Sequence, residues 1–219
     1  MSEDRGVAAL LRLMAWMSPA FPVGGFSYSG GLEKAVEDGR VRGAAGLLGW
    51  VEVLLCHGSL WNDAIFLAEA WRNGEDAAVL NETADLARAL AGSAERYRET
   101  VLLGDAFVAA AGAWPHAVLE LLPKDVPYPI AVGAVAAGHA VPLTETIAAF
   151  LHAGVSQLVS AGIRLGVAGQ KDGVTILAAS EAIIAEMAAR AMQFTLDDLG
   201  SATIIADTAA MRHETQGTR

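Results

Sequence analysis

Apolar side chains recur at three and four residue intervals along most of this sequence, the spacing that lines up one face of an α-helix. Between Gly6 and Met17 the positions Leu10, Leu13, Met14 and Met17 share such a face and predict a first helix covering part of the core. From Ala44 to Asn73 the spacing persists through Leu47, Leu48, Val51, Leu54 and Leu55, then through Trp61, Ile65 and Ala68, with a kink or break expected at Gly58-Ser59. Asp76 to Ala91 sets Val79, Leu80, Leu86 and Leu90 to one side. Ser93 then offers an N-cap to a helix over 94–113 that is charged early and apolar from Val101 onward except for Asp105, so its later half should be central. Ile130 to Ala140 is a helix of small residues, the kind that lets two backbones approach closely. Pro142 opens another that runs to about Gly166 with Ile147, Phe150, Leu151, Val155, Leu158 and Val159 inward. Gly169 to Gly173 reads as a turn, and Val174 to Met192 supplies a last long helix burying Leu177, Ile184 and Met187. No segment alternates convincingly enough for a strand. The expected fold is all-α, a single-domain bundle of roughly ten helices over residues 1–219 with a flexible tail from about residue 201.

One passage breaks the helical pattern. Ser18 to Glu33, SPAFPVGGFSYSGGLE, carries Pro19 and Pro22, which disfavour helix before them, and Gly24, Gly25, Gly30 and Gly31, which bracket Phe26, Ser27, Tyr28 and Ser29. It predicts a rigid platform presenting aromatic and hydroxyl groups, opening onto a short helix at Leu32 that Gly39 stops. Pro123, Pro127 and Pro129 make a stiff connector, taken as a loop within one domain.

Composition adds three constraints. Hydrophobic residues make up 53% of the chain and mean hydropathy is +0.38, high enough to predict apolar surface hidden in partner contacts, a homo-oligomer among them. A formal net charge of −10 disfavours nucleic acid as a partner. The lone Cys56 excludes an intrachain disulfide and a thiolate-rich cluster, fits a reducing cytoplasm, and reads as a small buried packing residue. Val7 to Met17 resembles a signal peptide in apolarity alone, since Glu3 and Asp4 precede it and Arg12 interrupts it. Val126 to Leu143, broken by prolines, is a poor membrane span, so no membrane role is expected.

No catalytic or cofactor motif assembles. Gly25 to Leu32 has P-loop glycine spacing but Gly31-Leu32 where Lys and Ser or Thr are required, and Gly25-Phe26-Ser27-Tyr28-Ser29 lacks the final glycine of a nucleophile elbow. None of His57, His116, His139, His152 and His213 stands at metal-ligand spacing, and Cys56 beside His57 points about 100° away from it on a helix. The sequence therefore predicts no cofactor, no metal and no enzyme. Glu33 and Glu37 form a solvated acidic face. Arg96, Arg98, Lys171, Arg190 and Arg212 read as isolated cations, and Arg164, set in an apolar helix, either snorkels or meets an anionic partner.

Pro22 to Gly39, PVGGFSYSGGLEKAVEDG, resembles the signature of the urease accessory protein F family, and AAMRHETQ, Ala209 to Gln216, resembles that family's tail block. The two motifs stand in the family's order with a helical chain between them. The resemblance implies a cytoplasmic, dimeric, non-catalytic chaperone component that helps load nickel into urease, bridging accessory protein D/H to the accessory GTPase G and reaching the urease apoprotein through that complex. It also implies two contact regions. One is Gly24, Gly25, Phe26, Ser27, Tyr28, Ser29 and Glu33, near the dimer and GTPase contacts, unless Phe26 and Tyr28 simply pack the first two helices together. The other is Met211, Arg212, His213, Glu214 and Gln216, which order against D/H. Two alternatives stay open: a GTPase-activating role using Arg164 or Gln170, and direct nickel carriage.

Overall fold

The computed structural model describes residues 2–25 and 30–200, and every regular element among them is helical. In chain order these are α1 (Ser2–Trp16), α2 (Leu32–Glu37), α3 (Gly43–His57), α4 (Ser59–Arg72), α5 (Ala77–Ala89), α6 (Ala94–Ala111), α7 (Val118–Leu121), α8 (Tyr128–Gly138), α9 (Leu143–Arg164) and α10 (Gln170–Ala191), with a 3₁₀ turn at Leu196–Asp198.

Two helices lie at the centre and are buried on several sides. The buried residues of α4 are Trp61, the run from Ala64 to Ala68 and Ala70, and those of α8 are every residue from Pro129 to Ala136. α8, apolar all round, belongs in the interior. The long pair α9 and α10 packs alongside, α3 closes over α4 and α10, and α6 lies against α8. Gly104 makes that last approach possible, because a Cβ there would meet the Val126 carbonyl. Asp76 caps α5 by accepting from the backbone N–H of Ala78 at 2.9 Å, and Ser93 caps α6 through the Arg96 N–H at 3.1 Å. The buried hydroxyls of Thr83, Thr146 and Ser180 each donate to the carbonyl one turn back, at 2.7 to 2.8 Å. Helical stretches 43–72 and 143–164 are long and apolar enough to cross a bilayer, but Gly58 breaks the first, with φ −122° and ψ −151°. Their buried faces build the core.

The structure departs from the sequence-based expectations in several places. The inward face of α1 is Ala9, Leu13 and Trp16, while Leu10 and Met14 are 57% and 63% exposed. Trp16 wins the interior because it meets Phe107 and Trp114 edge-on at 6.2 and 6.0 Å between ring centres. Gly169 to Gly173 is not a turn: α10 begins at Gln170, the Asp172 carboxylate accepts from the Gly169 N–H at 2.9 Å, and Gly173 is a buried helical residue. Leu177 lies only partly buried at the core edge, and Cys56 is half-buried.

Candidate partner-docking surface

The turn after α1 is built from local bonds. The Ser18 carbonyl accepts from the Phe21 N–H at 2.9 Å and the Ser18 hydroxyl from the Ala20 N–H at 3.1 Å. Phe21 then drops onto Phe107, 5.4 Å away between ring centres. Gly24, Gly30 and Gly31 hold φ of 80°, 56° and 79°, the left-handed region that glycine enters without a Cβ penalty, and Gly31 leads directly into α2. Gln157 of α9 donates its side-chain N–H to the Gly25 carbonyl. Beneath this stretch lies a cavity of about 310 Å³ with Trp16, Phe21 and Tyr128 on one wall and His152, Ser156 and Gln157 of α9 on the other.

A second cavity, about 360 Å³, opens on the other side of the glycines, with Gly30 and Gly31 on its rim. Its wall holds a charged cluster: Arg96 of α6 bonds Asp63 of α4 and, at 3.0 Å, Glu99. Burial pushes the carboxyls of Asp63 and Glu99 up while Arg96 pulls them down; burial disfavours the Arg96 cation, yet its two carboxylates hold it charged above its usual range. Asn62 lines the same cavity, and its side-chain oxygen accepts from the Gly200 N–H at 3.1 Å. Just before that point the chain is tied to α4 twice more. Arg72 donates to the carbonyls of Ala191, Met192 and Phe194 at 2.9 to 3.1 Å, and Trp61 meets Phe194 edge-on at 5.1 Å.

Gly30 and Gly31 at the base of the glycine-rich loop thus share a cavity with Asn62, the residue that bonds Gly200 at the end of the described residues. Gly24, Gly25 and Glu33 of the predicted contact set are placed, Glu33 half-buried in the first turn of α2. Phe26, Ser27, Tyr28, Ser29, Met211, Arg212, His213, Glu214 and Gln216 lie outside the described residues. Arg164 does not interrupt α9 but ends it, exposed, where a cation suits the helix dipole, about 10 Å along the axis from Gln157. Arg96 is not the isolated cation expected from sequence. Its Glu99 partner stands at a legible i, i+3 spacing, whereas Asp63 and Gln157 are joined to the site only by the fold. Among the described residues no group of three or more His, Cys, Asp or Glu side chains could hold a metal ion.

Comparison with known proteins bears on this arrangement. The family model UreF matches residues 41–181. The chain is 83% identical over its full length to the urease accessory protein UreF of Agrobacterium fabrum, covering 98% of that protein. The proteins of the same name from Rhizobium etli (strain CIAT 652) and Rhizobium leguminosarum bv. viciae are 60% and 61% identical, again over all of this chain and 98% of theirs. The chain belongs to the UreF family. Asp63, Arg96, Glu99 and Gln157 fall inside the stretch that the UreF model matches, and the glycine-rich loop falls outside it but inside the full-length alignments to the UreF relatives.

Proposed function

We propose that this chain is a non-catalytic chaperone component of urease maturation, acting in the cytoplasm as a homodimer that bridges accessory protein D/H and the accessory GTPase G so that nickel enters the urease apoprotein. The observation that carries this reading is a shared cavity: Gly30 and Gly31 at the loop base line it together with Asn62 of α4, whose side chain bonds Gly200 at the tail root, so the two contact regions start close together. Membership of the UreF family supports it. The dimer is supported by α1, whose outer face exposes Val7, Leu10, Leu11 and Met14 at helical spacing, an apolar stripe of the kind interfaces cover.

Co-expression with D/H and the GTPase tests the bridge. Affinity capture of the full chain should bring down both, and deletion of residues 212–219 should lose D/H. Capture of both partners by the truncated chain, or normal urease activation in cells lacking this protein, would sink the reading. A second reading follows from one observation. Arg164 at the end of α9 and Gln170 at the start of α10 are both exposed at a single turn, where they could reach a nucleotide on the GTPase. Faster GTP hydrolysis by the purified pair, lost on Arg164→Ala or Gln170→Ala, would favour it.

A further inference from the structure

We infer that Gln157 is the positioning residue of the glycine-rich loop, holding its base against α9 through the bond to the Gly25 carbonyl. The inference deepens the proposed function, since it concerns how one contact region is presented. Phe21 and Val23 pack the chain leading into the loop against the core, and beyond them Gly24 and Gly25 have no side chain of their own to pack. A Cβ added at Gly24 would meet nothing within 4 Å, and the nearest atoms to one at Gly25 all belong to Gln157, at 3.3 to 3.6 Å. On either side of Gln157 the protein is hollow: it lines both the cavity of about 310 Å³ under Phe21 and a smaller one of about 70 Å³ beside Arg96 and Gly30. Gln157, between these two cavities, is the side chain that reaches across to the Gly25 carbonyl.

The other end of the clasp is firm. Val155, Leu158 and Val159, the neighbours of Gln157 on α9, are buried, and Gly154 lets α9 settle against Leu60, so the amide is presented from a packed helix. Gly25 fits the same geometry, because Gln157 already occupies the space a side chain there would take. The chemistry needed is a donor of glutamine length at position 157, since the loop supplies a carbonyl.

Two variants of the full chain separate donor from bulk. Gln157→Met keeps the volume and removes the donor, and Gln157→Lys restores an N–H of similar reach. Amide hydrogen exchange over residues 18–33 should speed up about tenfold in the Met variant, return close to the native rate in the Lys variant, and stay unchanged in α4 and α8 for both. Native exchange in the Met variant, or equal acceleration in both variants, would overturn the assignment. Partner capture is read separately: if the Met variant exchanges fast yet binds the GTPase normally, the clasp stands and the loop's role as a docking platform falls.

Discussion

Gly133 of α8 and Leu67 of α4 meet backbone to backbone, with a Cβ on Gly133 destined to stand 3.1 Å from the Leu67 carbonyl carbon and closer still to its oxygen. Ala70 crowds the same spot at 3.2 Å. Both flanking helices are buried, so neither can retreat into solvent. Gly133→Ala should therefore cost about 2 to 3 kcal/mol in urea unfolding. Gly49→Ala, in α3 with nothing within 4 Å of the new methyl, should instead add up to about 1 kcal/mol by helix propensity. Equal effects at the two sites would mean that the α4–α8 approach is looser than described.

That close approach was legible in the sequence, because a run of Ala, Gly and Val has few other uses in a helix. The inward face of α1 was not. Val7, Leu10, Leu11, Met14 and Trp16 leave apolar residues on more than one side, and the choice is made by Phe107 and Trp114, far along the chain. Gly169 and Gly173 suggested a turn because glycine favours turns. In the fold Gly173 is required for a different reason, since Val159 and Ile163 on α9 would lie 3.0 and 2.9 Å from a Cβ there. The loop's glycines are legible in the sequence, while Gln157 and Asp63 come near them only through tertiary contact, which local spacing does not encode.

Arg96 sits between two carboxylates that burial already pushes toward their protonated forms. Arg96→Met would leave Asp63 and Glu99 uncompensated and should cost about 3 to 5 kcal/mol at neutral pH. The sign of its pH dependence follows from the direction of the shift. A carboxyl whose folded pKa lies above its unfolded value binds protons more tightly when folded, so the deficit against the native chain should shrink as pH falls from 7.5 toward 5. Paired urea titrations of the two proteins at both pH values measure it. A deficit that stays constant would mean the carboxylates remain hydrated.

His139 predicts the opposite slope. It caps α8, its Nε2 bonds the Trp114 carbonyl at 3.1 Å, and its own carbonyl accepts from Arg12 of α1 at 3.1 Å. Burial lowers its pKa, and the Arg12 guanidinium and the His116 ring, 5.0 Å away, add to that against the opposing bond to Trp114. The neutral ring is the one the fold prefers, so its stabilisation is complete above the unfolded value of about 6.5 and is lost as pH falls through the lower folded value. His139→Gln, which keeps a donor without titrating, should flatten the native chain's loss of thermal stability between pH 7 and 5. An unchanged profile would place the titration elsewhere.

Tyr28 tests the loop as a contact. On the proposed function, Tyr28→Ala should lose GTPase capture by at least tenfold, in the range set by aromatic interface anchors, while the urea midpoint moves little. A large fall in stability with capture preserved would instead make Phe26 and Tyr28 packing residues between the first two helices.

Arg72 tests the other end of the same device. Its guanidinium gathers the carbonyls of Ala191 and Met192, left without intrahelical partners at the end of α10, and of Phe194 just beyond it, and so fixes where the chain passes toward Gly200. Arg190 stacks on Trp61 at 5.1 Å and on Phe194 at 5.7 Å, so the root keeps a second, weaker hold when Arg72 is gone. Arg72→Met should then cost only about 1 to 3 kcal/mol of stability and leave the helices intact. If the tail reaches D/H from a fixed origin, the same change should weaken D/H capture several-fold while leaving GTPase capture alone, because Gly25 and Gln157 are untouched. Equal loss of both partners would show that α4 transmits the disturbance to the loop, and native binding to both would show that the tail docks from any starting point.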